Sequence, residues 1–263
     1  PALVLRAADR GVLDLGQRAA WWLGTEPWYR AVPNAGRVTL RQLLNHTAGI
    51  PEHVRDPAFA AAAEADPDRV WGAQDWLAFV QGVDRIAPPG EQFSYADTNF
   101  ILAALAYEHA TGSTLYGDAK RLLAQLGIGG VVPSDRRRVP GLISGHARPI
   151  PPFTQQGPTL VDGLCRLNPQ LEYAGGGFAS TPLGLAKWAS ALYGGRVVGE
   201  SFARSAGWLD GVPANTGPGD RYGLGVQIRE SALGVTLGHG GWFPGYLSEM
   251  VTFPKHGLSV AVQ

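Results

Sequence analysis

The chain has 263 residues, 45% apolar and 17% charged, with Lys+Arg 22 balancing Asp+Glu 22. That composition fits a globular protein of one large domain or two interleaved lobes, and zero net charge argues against nucleic acid or an anionic membrane as the main partner. Cys165 is the single cysteine, so no internal disulfide can form, and no apolar run approaches the ~20 residues of a membrane span.

In chain order, Ala2 to Gly11 reads as a helix that ends on a C-cap glycine. A loop-rich stretch with Trp21, Trp22, Trp28 and Tyr29 follows. Thr39 precedes a short helix, Leu40 to Leu44, with Gln42 at capping-box spacing. Asn45-His46-Thr47-Ala48-Gly49-Ile50-Pro51 ends it. Ala58 to Ala65 and Ala73 to Val80 are helical by composition, and Pro88-Pro89-Gly90 forces a turn. Thr98 to Thr111 is a strong helix, stopped by Gly112.

Residues 128–172 are rich in proline and glycine and read as an irregular surface excursion. Within it, Arg136-Arg137-Arg138 is a solvated loop. Thr181-Pro182 starts another helix, to Tyr193. The period then changes. Tyr222 to Ile228, Val235 to Gly238, Tyr246 to Phe253 and Leu258 to Val262 are short strands, closely enough spaced for an antiparallel meander. Helices first and strands later give an α+β class, with an antiparallel sheet flanked by helices. A sheet lobe of 1–16 with 174–263 and a mainly helical lobe of 17–173 are the expected domains.

Four segments, in order, resemble the β-lactamase and penicillin-binding superfamily on its class C-like side. They are Leu13-Asp14-Leu15, Leu43 to Pro51, Pro89 to Phe100 (with Tyr95-Ala96-Asp97), and Gly238-His239-Gly240-Gly241-Trp242-Phe243-Pro244-Gly245-Tyr246. The resemblance implies a β-lactamase/transpeptidase-like fold and a serine hydrolase acting on an ester, amide or peptide through an acyl-enzyme. The family's nucleophile lies in a Ser-x-x-Lys motif, and these residues contain none. The one hydroxyl three places before a lysine is Thr252, beside Pro254 at a strand end. The expectation is therefore that the chain is cut at both ends: the motif lies a few residues before Pro1, and a closing helix follows Gln263.

By the same resemblance, Tyr95 matches the tyrosine that shares proton transfer with the helix lysine. A phenol titrates near 10, so it needs adjacent positive charge to act as a base. Asp97 stands where asparagine is usual. An ionised aspartate only accepts hydrogen bonds, so binding a substrate amine, holding the lysine, and capping the helix at Thr98 stay open as roles. His239-Gly240-Gly241 occupies the place of Lys-Thr-Gly. Its histidine and missing hydroxyl weaken recognition of a substrate carboxylate. The Trp242 N–H would form half of an oxyanion hole. Esterase or D-aminopeptidase-type chemistry is thus expected over β-lactam hydrolysis, the alternative being a non-catalytic binding module. No metal spacing or phosphate loop is present, so no cofactor is expected. Compartment and oligomeric state are left open.

Overall fold

The computed structural model describes residues 1–263. Helix α1 (Ala2–Asp9) buries Ala2, Val4, Leu5 and Ala7, and Gly11 turns the chain away with φ +71°. A single turn, α2 (Ala20–Leu23), precedes α3 (Leu40–Leu44). The capping box before α3 is formed: Gln42 N–H donates to Thr39 Oγ1 at 3.3 Å, and Thr39 N–H donates to Gln42 Oε1 at 3.0 Å. Next come α4 (Pro57–Ala65) and α5 (Ala73–Leu77).

Helix α6 (Asp97–Thr111) is the spine of the molecule and ends on Gly112 at φ +65°. It is buried on nearly every side, as a helix with apolar residues all round must be. Phe100, Leu102, Ala103 and Ala106 join the larger apolar cluster with Leu5, Leu43 and Leu44. Ile101 and Ala104 join a second cluster with Phe59, Trp71, Trp76 and Tyr173. Helix α7 (Leu115–Gln125), capped by Thr114, falls where sequence reading placed no element. Gly117 in its first turn lowers helix propensity and hides it.

Residues 128–172 are irregular, as expected, but not structureless. Strand β1 (Val131–Pro133) pairs with β2 (Phe178–Ser180), and two two-residue ladders lie between them. The basic run is a surface loop, Arg137 pairing with Asp68 and Arg136 with Asp135, each at 2.6 Å. Helices α8 (Tyr173–Gly176), α9 (Pro182–Tyr193) and α10 (Glu200–Ser205) follow. Thr181 caps α9, its Oγ1 accepting from Gly184 N–H at 3.1 Å.

The sheet is one antiparallel meander. Its strands are β3 (Val212–Pro213), β4 (Arg221–Tyr222), β5 (Gln227–Ser231), β6 (Gly234–Phe243), β7 (Tyr246–Phe253) and β8 (Leu258–Val262), in spatial order β8-β7-β6-β5-β4-β3. The strand expected over Tyr222 to Ile228 is broken: residues 223–226 loop out, and Gly225 N–H bonds the Leu44 carbonyl at 2.9 Å. β6 runs past its expected end at Gly238 to Phe243. β5 pairs with β6 only up to Gly238↔Gln227, so from His239 onward one edge of β6 has no strand partner. Such an edge presents free N–H and C=O groups. Helix α9 packs on β7 and β8. Leu258, Val260 and Val262 alternate with half-buried Ser259 and Ala261 and are exposed.

Candidate active site

Three chain segments converge where α6 begins. The turn at 45–53 supplies His46, Glu52 and His53. The approach to α6 supplies Tyr95 and Asp97. The open edge of β6 supplies His239, with Tyr222 from β4 behind it. Ring centroids of Tyr95 and His239 are 6.0 Å apart, those of Tyr95 and Tyr222 6.1 Å, and those of Tyr95 and His46 4.1 Å. Tyr95 and the glycine-flanked strand, 144 positions apart, are therefore neighbours.

His239 has both ring nitrogens engaged. Nδ1 lies 2.6 Å from the Gly240 carbonyl, to which only Nδ1–H can donate. Nε2 then accepts from the Tyr222 hydroxyl at 2.9 Å. Burial pushes the imidazole below its ordinary value, which favours this neutral form. The ring thus has no free nitrogen to offer Tyr95. Gly240 and Gly241 follow along the edge. A Cβ on Gly238 would meet the Met250 carbonyl oxygen at 2.1 Å; the nearest atom to one on Gly240 or Gly241 would be a side-chain oxygen of Glu249 at 2.7 Å or of Ser248 at 2.5 Å. Trp242 is 41% exposed at the far end, with its ring 6.0 Å from Phe153 and apart from Tyr95.

Asp97 is not the N-cap of α6. Ala96 holds that position with no side-chain cap, and Asp97 is the first helical residue. The cap comes from elsewhere in the chain: Glu52 Oε2 accepts the Asp97 N–H, while Oε1 accepts Val54 N–H at 3.0 Å and lies 3.0 Å from His53 Nδ1. A carboxylate at a helix N-terminus is favoured by the orphan N–H groups and the helix dipole. Burial alone would raise Glu52, but His53 and these N–H donors outweigh it and hold the carboxyl below its usual range.

The Asp97 carboxyl is driven the other way. Burial, then the charge of Glu52, lift it to about 7, with His53 and Tyr95 pulling in the opposite direction. Its Oδ1 is buried without a hydrogen-bond partner. Gly175 makes room for it, since a Cβ there would stand 3.0 Å from Asp97 Cγ. Glu172 adds a third carboxyl, raised well above its usual range by burial and by Asp97 and Glu52. The Tyr95 phenol is also pushed well above its ordinary value, by burial first and by Asp97 next. Residues 1–263 thus set Tyr95 near the carboxyls of Asp97 and Glu52, while its imidazole neighbours His46 and His239 both have lowered proton affinity. The cation that a tyrosine base requires is not among these neighbours.

Pro1 borders the same place. It is exposed, it packs on Gly225, and its nitrogen is near enough for its charge to bear on both His46 and His239. Thr252 has a structural partner instead, its Oγ1 lying 2.7 Å from Ser259 Oγ across β7 and β8. Sequence reading missed Glu52, His53, Glu172, Tyr222 and the contacts of His46. His46 and Glu52 had a signal, since both lie in or beside the matched Leu43 to Pro51 segment. The others are joined to the site only through the fold.

Comparison with known proteins bears on the family and the fold. The Beta-lactamase family model matches residues 2–263. Penicillin-binding protein 4* of Bacillus subtilis (strain 168) is 25% identical over 263 residues, covering 96% of this chain and 55% of the relative, so the chain spans about half that protein's length. Among solved structures, a D-stereospecific amidohydrolase from Streptomyces sp. superposes with TM-score 0.85 at 25% identity, covering 99% of this chain and 77% of that one. A D-amino acid amidase from Ochrobactrum anthropi SV3, complexed with L-phenylalanine, has the same fold, with TM-score 0.76 at 23% identity over 99% and 73% of the two chains.

Proposed function

This chain belongs to the beta-lactamase family, and from that premise we propose that the longer protein carrying it is a serine hydrolase that cleaves esters or amides through an acyl-enzyme. The observation that carries the reading is the closeness of Tyr95 to the His239 edge, with the Pro1 nitrogen near enough to act on both His46 and His239. A Ser-x-x-Lys turn just ahead of α1 would place its hydroxyl and ammonium there. The serine Oγ attacks the carbonyl carbon, and its proton passes to the Tyr95–lysine pair. That proton then goes to the departing alcohol or amine as the bond to the acyl carbon breaks. Water, deprotonated by the same pair, releases the acid and restores the serine. The lysine ammonium supplies the positive charge that offsets the carboxylates around Tyr95 and lowers its phenol towards a working base. The Trp242 N–H and the serine N–H receive the oxyanion.

The site favours a cationic over an anionic substrate group. The Asp97 oxygen without a partner and the nearby Glu52 and Glu172 suit an ammonium, either the lysine's or a free amine on the substrate. A substrate carboxylate finds no such match: His239 is neutral with both nitrogens used, and Arg229 is already paired with Glu249 at 2.7 Å. We therefore place D-amino acid amides and esters with a free amine ahead of β-lactams. The full-length protein, assayed on D-phenylalanine p-nitroanilide, its N-acetyl derivative and nitrocefin, should prefer the unblocked anilide. Asp97→Asn should cost that substrate ~10-fold or more beyond any loss on a simple nitrophenyl ester, as for loss of a hydrogen bond to a charged group. Faster turnover of nitrocefin or of the blocked anilide would contradict this preference.

A further inference from the structure

Resting on the proposed role of Tyr95, we infer that His46 is the residue that positions it: the residue before Tyr95 and the residue after it are both hydrogen-bonded to His46. Ser94 N–H donates to the His46 carbonyl at 2.8 Å. Ala96 N–H donates to His46 Nδ1 at 3.2 Å, and Asn99 Nδ2, one turn into α6, reaches the same nitrogen at 3.2 Å. Between these anchors the Tyr95 ring lies on the imidazole, with centroids 4.1 Å apart and planes 36° apart. Three dihedrals orient the phenol, namely φ and ψ of Tyr95 and its χ1, and His46 touches the groups that set each.

The bonding also fixes the state of the imidazole. Nδ1 accepts from a backbone N–H, so the proton sits on Nε2. Phe100 at 4.9 Å and Tyr222 at 4.8 Å wall the ring in, and burial keeps it neutral. Nε2 is buried with no hydrogen-bond partner, an arrangement that costs stability and that an apolar side chain would avoid. The backbone at His46 is itself held at φ +56°, a region in which asparagine is tolerated and branched or bulky residues are strained. His46 is therefore an expensive choice for mere filling, and the bonds that its carbonyl and its Nδ1 accept come from the residues flanking Tyr95 and from Asn99.

The test uses the full-length protein and a short-chain nitrophenyl ester. Asparagine at this position keeps the left-handed backbone and sets its Oδ1 where Nδ1 stands, so His46→Asn should retain kcat within about tenfold. His46→Leu, lacking the acceptor, should lose ~10²-fold in kcat, the scale of a misplaced reacting group, with KM within about threefold. Equal losses in both variants, or a loss carried in KM, would overturn the inference. Tyr95→Phe run alongside separates the two claims: an active Tyr95→Phe removes the proposed function, whereas an inactive Tyr95→Phe beside an undiminished His46→Leu removes only the positioning role. If His46→Leu does not fold, nitrogen NMR of the wild-type imidazole decides. A neutral ring protonated on Nε2 at pH 7 supports the inference, and a cation or an Nδ1–H tautomer overturns it.

Discussion

Tyr95→Phe in the full-length protein is expected to lower ester turnover by ~10²-fold or more, as for removal of an acid–base group, while its melting curve stays close to wild type. The ring is held by packing: His46 at 4.1 Å on one side, with Tyr222 and His239 at 6.1 and 6.0 Å. Phenylalanine keeps all of these contacts. What it loses is one hydroxyl, whose net contribution to stability is about 1 kcal/mol. Within residues 1–263 that hydroxyl lies in a setting that raises its proton affinity through burial, Asp97, Tyr222 and Glu52. A structure maintained only for stability gains little from a phenol beside three such groups. Substituted protein that turned over the ester at the wild-type rate, measured by steady-state kinetics, would remove Tyr95 from the mechanism.

Gly49→Ala should be among the most destabilising single-methyl additions in the chain, at ~3 kcal/mol or more, read by chemical denaturation. Gly49 adopts φ +65°, and a Cβ there would lie 2.0 Å from the Ala87 carbonyl oxygen and 3.0 Å from Asn34 Nδ2. The left-handed backbone alone costs a side-chain-bearing residue about 1–2 kcal/mol. Relieving the overlap adds about 1–3 kcal/mol, because the obstacle is backbone and cannot rotate away. Moving it also disturbs a closed set of bonds: Asn34 Nδ2 to the Ala48 and Ala87 carbonyls, each at 2.9 Å, and Ile86 N–H to the Gly49 carbonyl at 2.9 Å. The same turn carries His46 and Glu52, so activity should fall with stability. An alanine variant as stable as wild type would show that this turn is not the rigid support that the site requires.

Local signals in the sequence foretold local structure well. Thr39 with Gln42, Thr181 before Pro182 and Gly112 after α6 each describe chemistry completed within a few residues, and each forms as read. Where the signal was mixed, the reading fell short. Gly238, Gly240 and Gly241 depress strand propensity, yet cross-strand pairing with β7 from Leu237↔Thr252 to Phe243↔Tyr246 carries β6 through them. The family motifs located Tyr95 and His239 but not what their surroundings do to them. The Glu52 cap on α6 spans 45 positions, and the Tyr222 bond to His239 spans 17. Such partners have no one-dimensional spacing to betray them. The raised carboxyls of Asp97 and Glu172 are likewise a product of burial, which is set by the fold and not by the residues' own identity.

The most direct measurement is mass-spectrometric mapping of a fluorophosphonate adduct on the full-length protein, with the 263-residue chain as its companion. The account predicts one adduct, on a serine three residues before a lysine and shortly ahead of Pro1, and none on the shorter chain. An adduct on any hydroxyl within residues 1–263, or an unlabelled full-length protein, would contradict it.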